Sequence, residues 1–234
     1  MKIRVLLTAT VLGSLFVSTQ ALAGASANIG ATSNYLWRAQ TQSDGHPAIQ
    51  GGLDYAADNG LYVGTWASNE EFVQASGDKK KGTELDLYAG YKKELKNGLS
   101  YDVGAVKYGY PNNNANEFSE AYLKLGYKGV GFEYDNTIQT KDATLNAKGD
   151  QYYSLGYTGS LKNDWSYGVK VGHYDYKPQS SGWLGDYTHE QVSLTKSVKK
   201  AGDFTLAVDQ PSKPCNNGKK DARVSLSWKK SFDF

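Results

Sequence analysis

The chain of 234 residues is poor in the features that would place it in most protein classes. It has one cysteine, Cys215, so no intramolecular disulfide forms, and that residue lies in a polar, proline-containing loop where nothing marks it as reactive. One methionine and five prolines, against 26 glycines and 18 tyrosines, favour an all-β protein with tight turns. Beyond the first two dozen residues no apolar run approaches the ~20 residues that a membrane helix needs. A helical membrane protein is excluded, whereas a barrel is not, because alternating strands average out as hydrophilic.

The amino-terminal segment has its own signature. Met1 to Ala23 carries a basic head (Lys2, Arg4), an apolar stretch from Val5 to Val17 and a small-x-small cleavage site, Ala21-Leu22-Ala23. This pattern predicts a secretory signal peptide over 1–23 that is removed before folding. Its apolar core is too short for an anchor, and no cysteine at the cleavage point suggests a lipoprotein. The 26 basic residues, less Lys2 and Arg4, then match the 24 acidic ones. A formally neutral mature chain argues against a nucleic-acid partner.

Period-2 alternation predicts a single domain over 24–234 with twelve strands. They lie near 28–38, 48–57, 61–69, 83–94, 99–109, 117–127, 130–138, 150–161, 165–176, 187–199, 203–210 and 221–233. Most approach the 9–11 residues with which a tilted strand crosses a bilayer. Leu85, Leu87, Ala89 and Tyr91 share one face, with Glu84, Asp86, Tyr88 and Lys92 on the other. In the strand at 61–69 the parity is less clear, because Tyr62 and Trp66 lie opposite Leu61 and Val63. Short turns such as Asn97-Gly98 and Lys128-Gly129 alternate with longer polar loops at 39–47, 70–82, 110–116, 139–149, 177–186 and 211–220. An even-stranded antiparallel transmembrane barrel, with short turns at one end and long loops at the other, predicts this alternation. Apolar-face aromatics near the short turns, among them Tyr55, Tyr91, Tyr127, Trp165 and Phe204, fit an interfacial girdle.

The final strand alternates Ala222, Val224, Leu226, Trp228, Phe232 and Phe234 with polar residues, and only Lys230 breaks the apolar row. This ending resembles that of outer-membrane barrels. The resemblance implies that Phe234, Phe232 and Trp228 signal to a barrel-assembly machinery. Further motifs run in order through 28–125: Asn34-Tyr35-Leu36-Trp37-Arg38, Gln50-Gly51-Gly52-Leu53-Asp54-Tyr55, Gly64-Thr65-Trp66-Ala67-Ser68-Asn69 and Tyr108-Gly109-Tyr110-Pro111. Together these resemble the TorF family of proteobacterial porins. That resemblance implies an outer-membrane barrel of a Gram-negative bacterium that passes small hydrophilic solutes. The chain departs from the family pattern in two places: Ala39 stands where glycine is expected after the arginine, and Glu70-Glu71 follow Ser68-Asn69 where an apolar residue is commoner.

If the apolar faces meet lipid, the polar faces line the lumen. The pore-lining candidates are Asn34, Arg38, Glu84, Asp86, Asp102, Glu120, Lys124, Glu133, Asp135, Lys170, Arg223 and Lys229. Opposed acidic and basic rows would set a transverse field across a constriction; alternatively they pair and fill a narrow barrel. Loops 70–82 and 177–186, the latter with Trp183, are candidates to fold inward as plugs. Arg38 stands out as an ionic gate near the outer mouth or as the partner of Glu84 or Glu120. Two other function classes remain: a membrane-embedded lipid hydrolase or protease, and a surface-binding platform. His46, His173 and His189 are scattered and no serine stands in a motif beside them, so neither a catalytic set nor a metal site is expected. No cofactor is expected.

Overall fold

A computed structural model describes residues 24–73, 79–178, 185–214 and 220–234. The predicted signal peptide with Ala21 and Ala23, and also Cys215 and Trp183, lie outside the described residues.

The strands in chain order are β1 (Gly24–Thr32), β2 (Leu36–Trp37), β3 (Gln40–Thr41), β4 (Ala48–Ala56), β5 (Leu61–Val73), β6 (Lys79–Glu94) and β7 (Ser100–Gly109). They continue as β8 (Phe118–Tyr127), β9 (Val130–Thr140), β10 (Gln151–Ser160), β11 (Trp165–Asp175), β12 (Tyr187–Val198), β13 (Gly202–Pro211) and β14 (Arg223–Asp233). All but β2 and β3 form one closed antiparallel barrel of twelve strands. Each strand pairs with its chain neighbours, and β1 closes the ring on β14, with Ala27 opposite Phe232 and Thr32 opposite Ser227. Closure leaves no unpaired sheet edge.

The short turns carry the backbone that hairpins of this hand require. Lys128 and Gly129, with φ of 48° and 86°, join Tyr127 to its partner Val130. Both central residues at positive φ match the right-handed twist of the flanking strands.

Alternation sends opposite chemistry to the two faces. Ile49, Leu53, Leu87, Val192 and Leu226 point outward and are 56–62% exposed, whereas Glu84, Asp86, Glu120, Asp135 and Asp209 point inward and are buried. This is the inverse of a protein folded in water and fits a lipid surround. Tyr62 and Trp66 resolve the ambiguity at β5: they face the interior, and Leu61 and Val63 face out. Lys196 lies over the Trp165 ring and Lys230 over Phe232, so the cations at the short-turn end are seated on the aromatic girdle.

The largest departure from the sequence reading concerns its first strand, expected to run to residue 38. β1 stops at Thr32, whose hydroxyl donates to Asn34 O at 2.9 Å and turns the chain off the wall. Asn34 and Arg38 therefore sit on no barrel strand. β5 and β6 run several residues further outward than expected, paired from Leu61–Tyr91 to Val73–Lys79.

Candidate functional site

Residues 33–47 fold into the outer half of the barrel. The segment makes a small hairpin, with Leu36 opposite Thr41 and Trp37 opposite Gln40. Its tip, Arg38-Ala39, has φ of 50° and 62°, the backbone of a tight two-residue turn. The base is tied by its own side chains: Thr41 Oγ1 donates to Asn34 Oδ1 at 2.6 Å, and Tyr35 N donates to Ser43 Oγ at 2.9 Å. The sequence reading proposed loops 70–82 and 177–186 as plugs, of which 74–78 and 179–184 lie outside the described residues; among the described residues the first long loop, 33–47, folds inward.

The tip is pinned on opposite sides of the lumen. On one side the Arg38 guanidinium makes two parallel 2.8 Å hydrogen bonds to Glu120, and Asp135 lies 3.3 Å away. Tyr108 Oη donates to the same Glu120 carboxylate at 3.1 Å. Opposite, Tyr187 Oη donates to Arg38 O at 2.7 Å, and the Arg223 guanidinium donates to Ala39 O. Gln40 Nε2 donates to Tyr176 and Tyr187 hydroxyls, both at 2.9 Å. The guanidinium carbon lies 4.2 Å from the ring centres of Trp37 and Tyr152. A bidentate carboxylate and two aromatic faces satisfy both the fork and the plane of arginine, which lysine would not do. A register shift between Ser119 and Glu120 against β9 accompanies the placement of Glu120, as bulges often re-aim functional side chains.

A second layer lies toward the short-turn end. Tyr62 Oη donates to Asp102 at 2.5 Å and sits 2.5 Å from Tyr122 Oη, while Tyr88 donates to Asp54 at 2.5 Å. The rings lie across glycines: a Cβ at Gly64 would come within 2.4 Å of Tyr88, and one at Gly104 within 2.5 Å of Tyr122. Lys124 Nζ is 3.2 Å from Glu133, to which Ser154 also donates at 3.3 Å. Lys124 and Glu133 side chains keep 24% and 21% exposure, so solvent reaches this depth. The facing wall of β12–β14 carries a run of small side chains, Ser193, Thr195, Thr205, Ala207 and Ser227, all half-buried, alongside Tyr187, His189, Asp209, Arg223 and Lys229.

A family model described as "Bacterial protein of unknown function (Gcw_chp)" matches residues 19–219. The chain belongs to the Gcw_chp family. No curated protein matches it. Among solved structures, a KdgM porin is similar over 89% of this chain and 99% of its own, with TM-score 0.58 and 8% identity. A NanC porin is similar over 90% and 100%, with TM-score 0.53 and 11% identity. Another KdgM structure, described as in complex with disordered oligogalacturonate, aligns over 90% of this chain and 99% of its own, with TM-score 0.56 and 9% identity. At such identities the likeness is one of fold.

The other predicted site residues of this Gcw_chp barrel divide by depth. Glu84 and Asp86 are buried on β6 beside Glu70 of β5, near the loop rather than beside Arg38. Asp102, Lys170 and Lys229 face inward and are half-buried below the tip. Of the two arrangements open for the lumen charges, pairing is seen for Arg38 with Glu120, one of its two expected partners, and for Lys124 with Glu133. At the outer rim, the hydrogen bond from Lys141 and a second ammonium, Lys107, hold the Glu117 carboxyl below its usual range. His189 is buried in the lumen, 2.9 Å from Tyr152 Oη and 3.7 Å from Asp209, not solvated at the rim. Trp228 donates to Ala201 O at 2.7 Å, Phe232 is partly exposed and Phe234 largely so. Sequence reading missed the tyrosines that fill the lumen. Tyr88 and Tyr122, on the charged faces of their strands, were the signal.

Proposed function

We propose that the protein is a narrow, loop-constricted channel for passive diffusion of small hydrophilic solutes across the outer membrane of a Gram-negative bacterium. The observation that carries this reading is a closed barrel with an apolar exterior and a charged, hydroxyl-rich interior that solvent enters up to Lys124 and Glu133. Solutes pass beside the tip of the 33–47 loop and on along the small residues of β12–β14. Asp102, Lys124, Glu133, Lys170, Arg223 and Lys229 line the path, with Arg38, Glu120 and Asp135 at its narrowest point. Both charge signs are present, so the path suits hydrated polar solutes rather than one class of ion. The likeness to the KdgM and NanC barrels supports the architecture, and the sequence resemblance to TorF-family porins supports the finer assignment.

In the same reading residues 1–23 direct export and are removed after Ala23. Phe234, Phe232 and Trp228 engage the barrel-assembly machinery, and membrane lipids surround the outer face. No step is catalytic. Single-channel recording of the refolded mature protein in a planar bilayer, with Arg38→Ala alongside, tests the proposal. The expected result is small discrete steps in the wild type, with larger and more cation-selective steps in the variant, because Glu120 and Asp135 lose their counter-charge. A folded, heat-modifiable barrel silent in both forms overturns it.

A further inference from the structure

At the outer end of the lumen three carboxylates share one inward face. Ser68 is opposite Glu84 and Trp66 opposite Asp86; Glu70 continues the Trp66–Ser68 face of β5, while Glu71 points the other way. Glu70, Glu84 and Asp86 are only 4%, 3% and 1% exposed. No hydrogen bond reaches Glu70 Oε1, Glu84 Oε2 or either carboxylate oxygen of Asp86. Among the described residues no lysine or arginine pairs with any of them. Arg38, the only such residue in the 33–47 loop, is committed to Glu120 and Asp135. Buried carboxylates without partners are costly, and a bound cation removes that cost.

A side chain of different chemistry points at the same group. Tyr35, on the infolded loop, is buried and stands edge-on to Trp66, with ring centres 5.4 Å apart. Its hydroxyl is turned toward Glu84 and closes no hydrogen bond. The barrel itself shows what such a set holds: the Arg38 guanidinium lies between Glu120 and Asp135, over the faces of Trp37 and Tyr152. Glu70, Glu84 and Asp86, walled by Tyr35 and Trp66, repeat that chemistry without an arginine of their own. A single metal ion fits less well. Oxygens on opposite sides of calcium stand about 5 Å apart, and among the described residues only Asp44, His46 and Glu71, on the outer face, bring three ligand atoms within 4.8 Å of one another. A planar guanidinium spreads five donors over a wider fork. A cavity of about 540 Å³ at the outer mouth, with Ser43, Asn69 and Glu70 in its wall, gives such a group room and a way in.

We infer that Glu70, Glu84 and Asp86, with Tyr35, form a subsite at the outer mouth for a guanidinium group carried by a small solute. The inference rests on the channel reading above and adds a class of solute to it. The carboxylates accept the N–H donors, and the rings of Tyr35 and Trp66 flank the cation. The bound group supplies the counter-charge that this part of the wall lacks, as Arg38 does for Glu120.

Methylguanidinium chloride is the probe, and its neutral isostere N-methylurea at the same millimolar concentration is the control. Saturation-transfer NMR on the refolded mature protein in detergent should show saturable binding of the cation alone. Glu84→Gln should weaken it at least about tenfold, because a charge-assisted hydrogen bond is lost. Tyr35→Phe should weaken it less, and Glu71→Gln, one residue from Glu70 but on the outer face, should leave it unchanged. Glutamine also removes an uncompensated buried charge, so Glu84→Gln should raise the urea midpoint of the barrel without probe. No saturable binding, equal binding of N-methylurea, binding that survives Glu84→Gln, or displacement of the probe by an equal concentration of calcium chloride overturns the inference. A barrel that binds methylguanidinium and conducts nothing retains this subsite and loses the channel reading. One that conducts and does not bind it retains the channel and loses the subsite.

Discussion

Ala39 concentrates the constraints on the constriction in one residue. It holds φ of 62°, where a side chain costs about 1 kcal/mol or more relative to glycine. It is almost wholly buried, and its carbonyl is gripped by Arg223. Alanine, where the TorF resemblance leads one to expect glycine, thus stands where the tight turn needs positive φ, and the local strain is held by the pinning bonds on both sides of the tip. Glycine at this position should raise stability by about 0.5–1 kcal/mol, the relief of strain less the greater freedom of the unfolded chain. Valine should lower it, since a branched Cβ is least tolerated there. Urea unfolding of the refolded protein reads the two midpoints; a lower midpoint for Ala39→Gly would show that the turn is not the one described.

At the scale of elements, the 33–47 loop is longer than its connection requires. Thr32 and Ala48 are already direct partners across β1 and β4, so a two-residue turn would join them. The remaining residues serve the lumen. Replacing 34–46 with a short Gly-Asn turn should leave the barrel closed and heat-modifiable. Conductance should rise several-fold, and cation preference should increase as Glu120 and Asp135 face open water. An unchanged conductance would mean that another segment sets the constriction. Little of this loop was legible in the sequence. The barrel strands were, because lipid outside and water inside impose period 2 on every strand, as in Leu85-Asp86-Leu87-Tyr88. The hairpin was not, because Tyr35, Trp37 and Ala39 continue the alternation begun by β1. Only the Thr32–Asn34 hydrogen bond marks the departure, and its effect depends on a lumen to receive the chain. The bulge at Glu120 was also hidden, since a register shift belongs to two strands and not to either sequence alone.

For the whole molecule, the decisive property is the inverted surface, and it predicts a sign that a soluble protein would not show. Val192 lies midway along β12, faces outward, and is flanked by Val169 and Val208 on the neighbouring strands. In a soluble β protein, arginine at such an exposed position would change stability by no more than about 0.5 kcal/mol. Near the midplane of a bilayer the guanidinium must leave water or draw the headgroups toward it, at a cost of about 2–4 kcal/mol. Val192→Arg should therefore destabilise the protein refolded into lipid vesicles by that amount in urea titration. Thr195→Lys, one turn of the pleat away on the solvated inner face, should change it little, because lumen water solvates the ammonium and Asp203 lies on the paired strand. Equal and small effects at both positions would contradict a lipid-facing exterior. A large effect at Val192 alone would tie the alternation seen in every strand to the two solvents that the barrel separates.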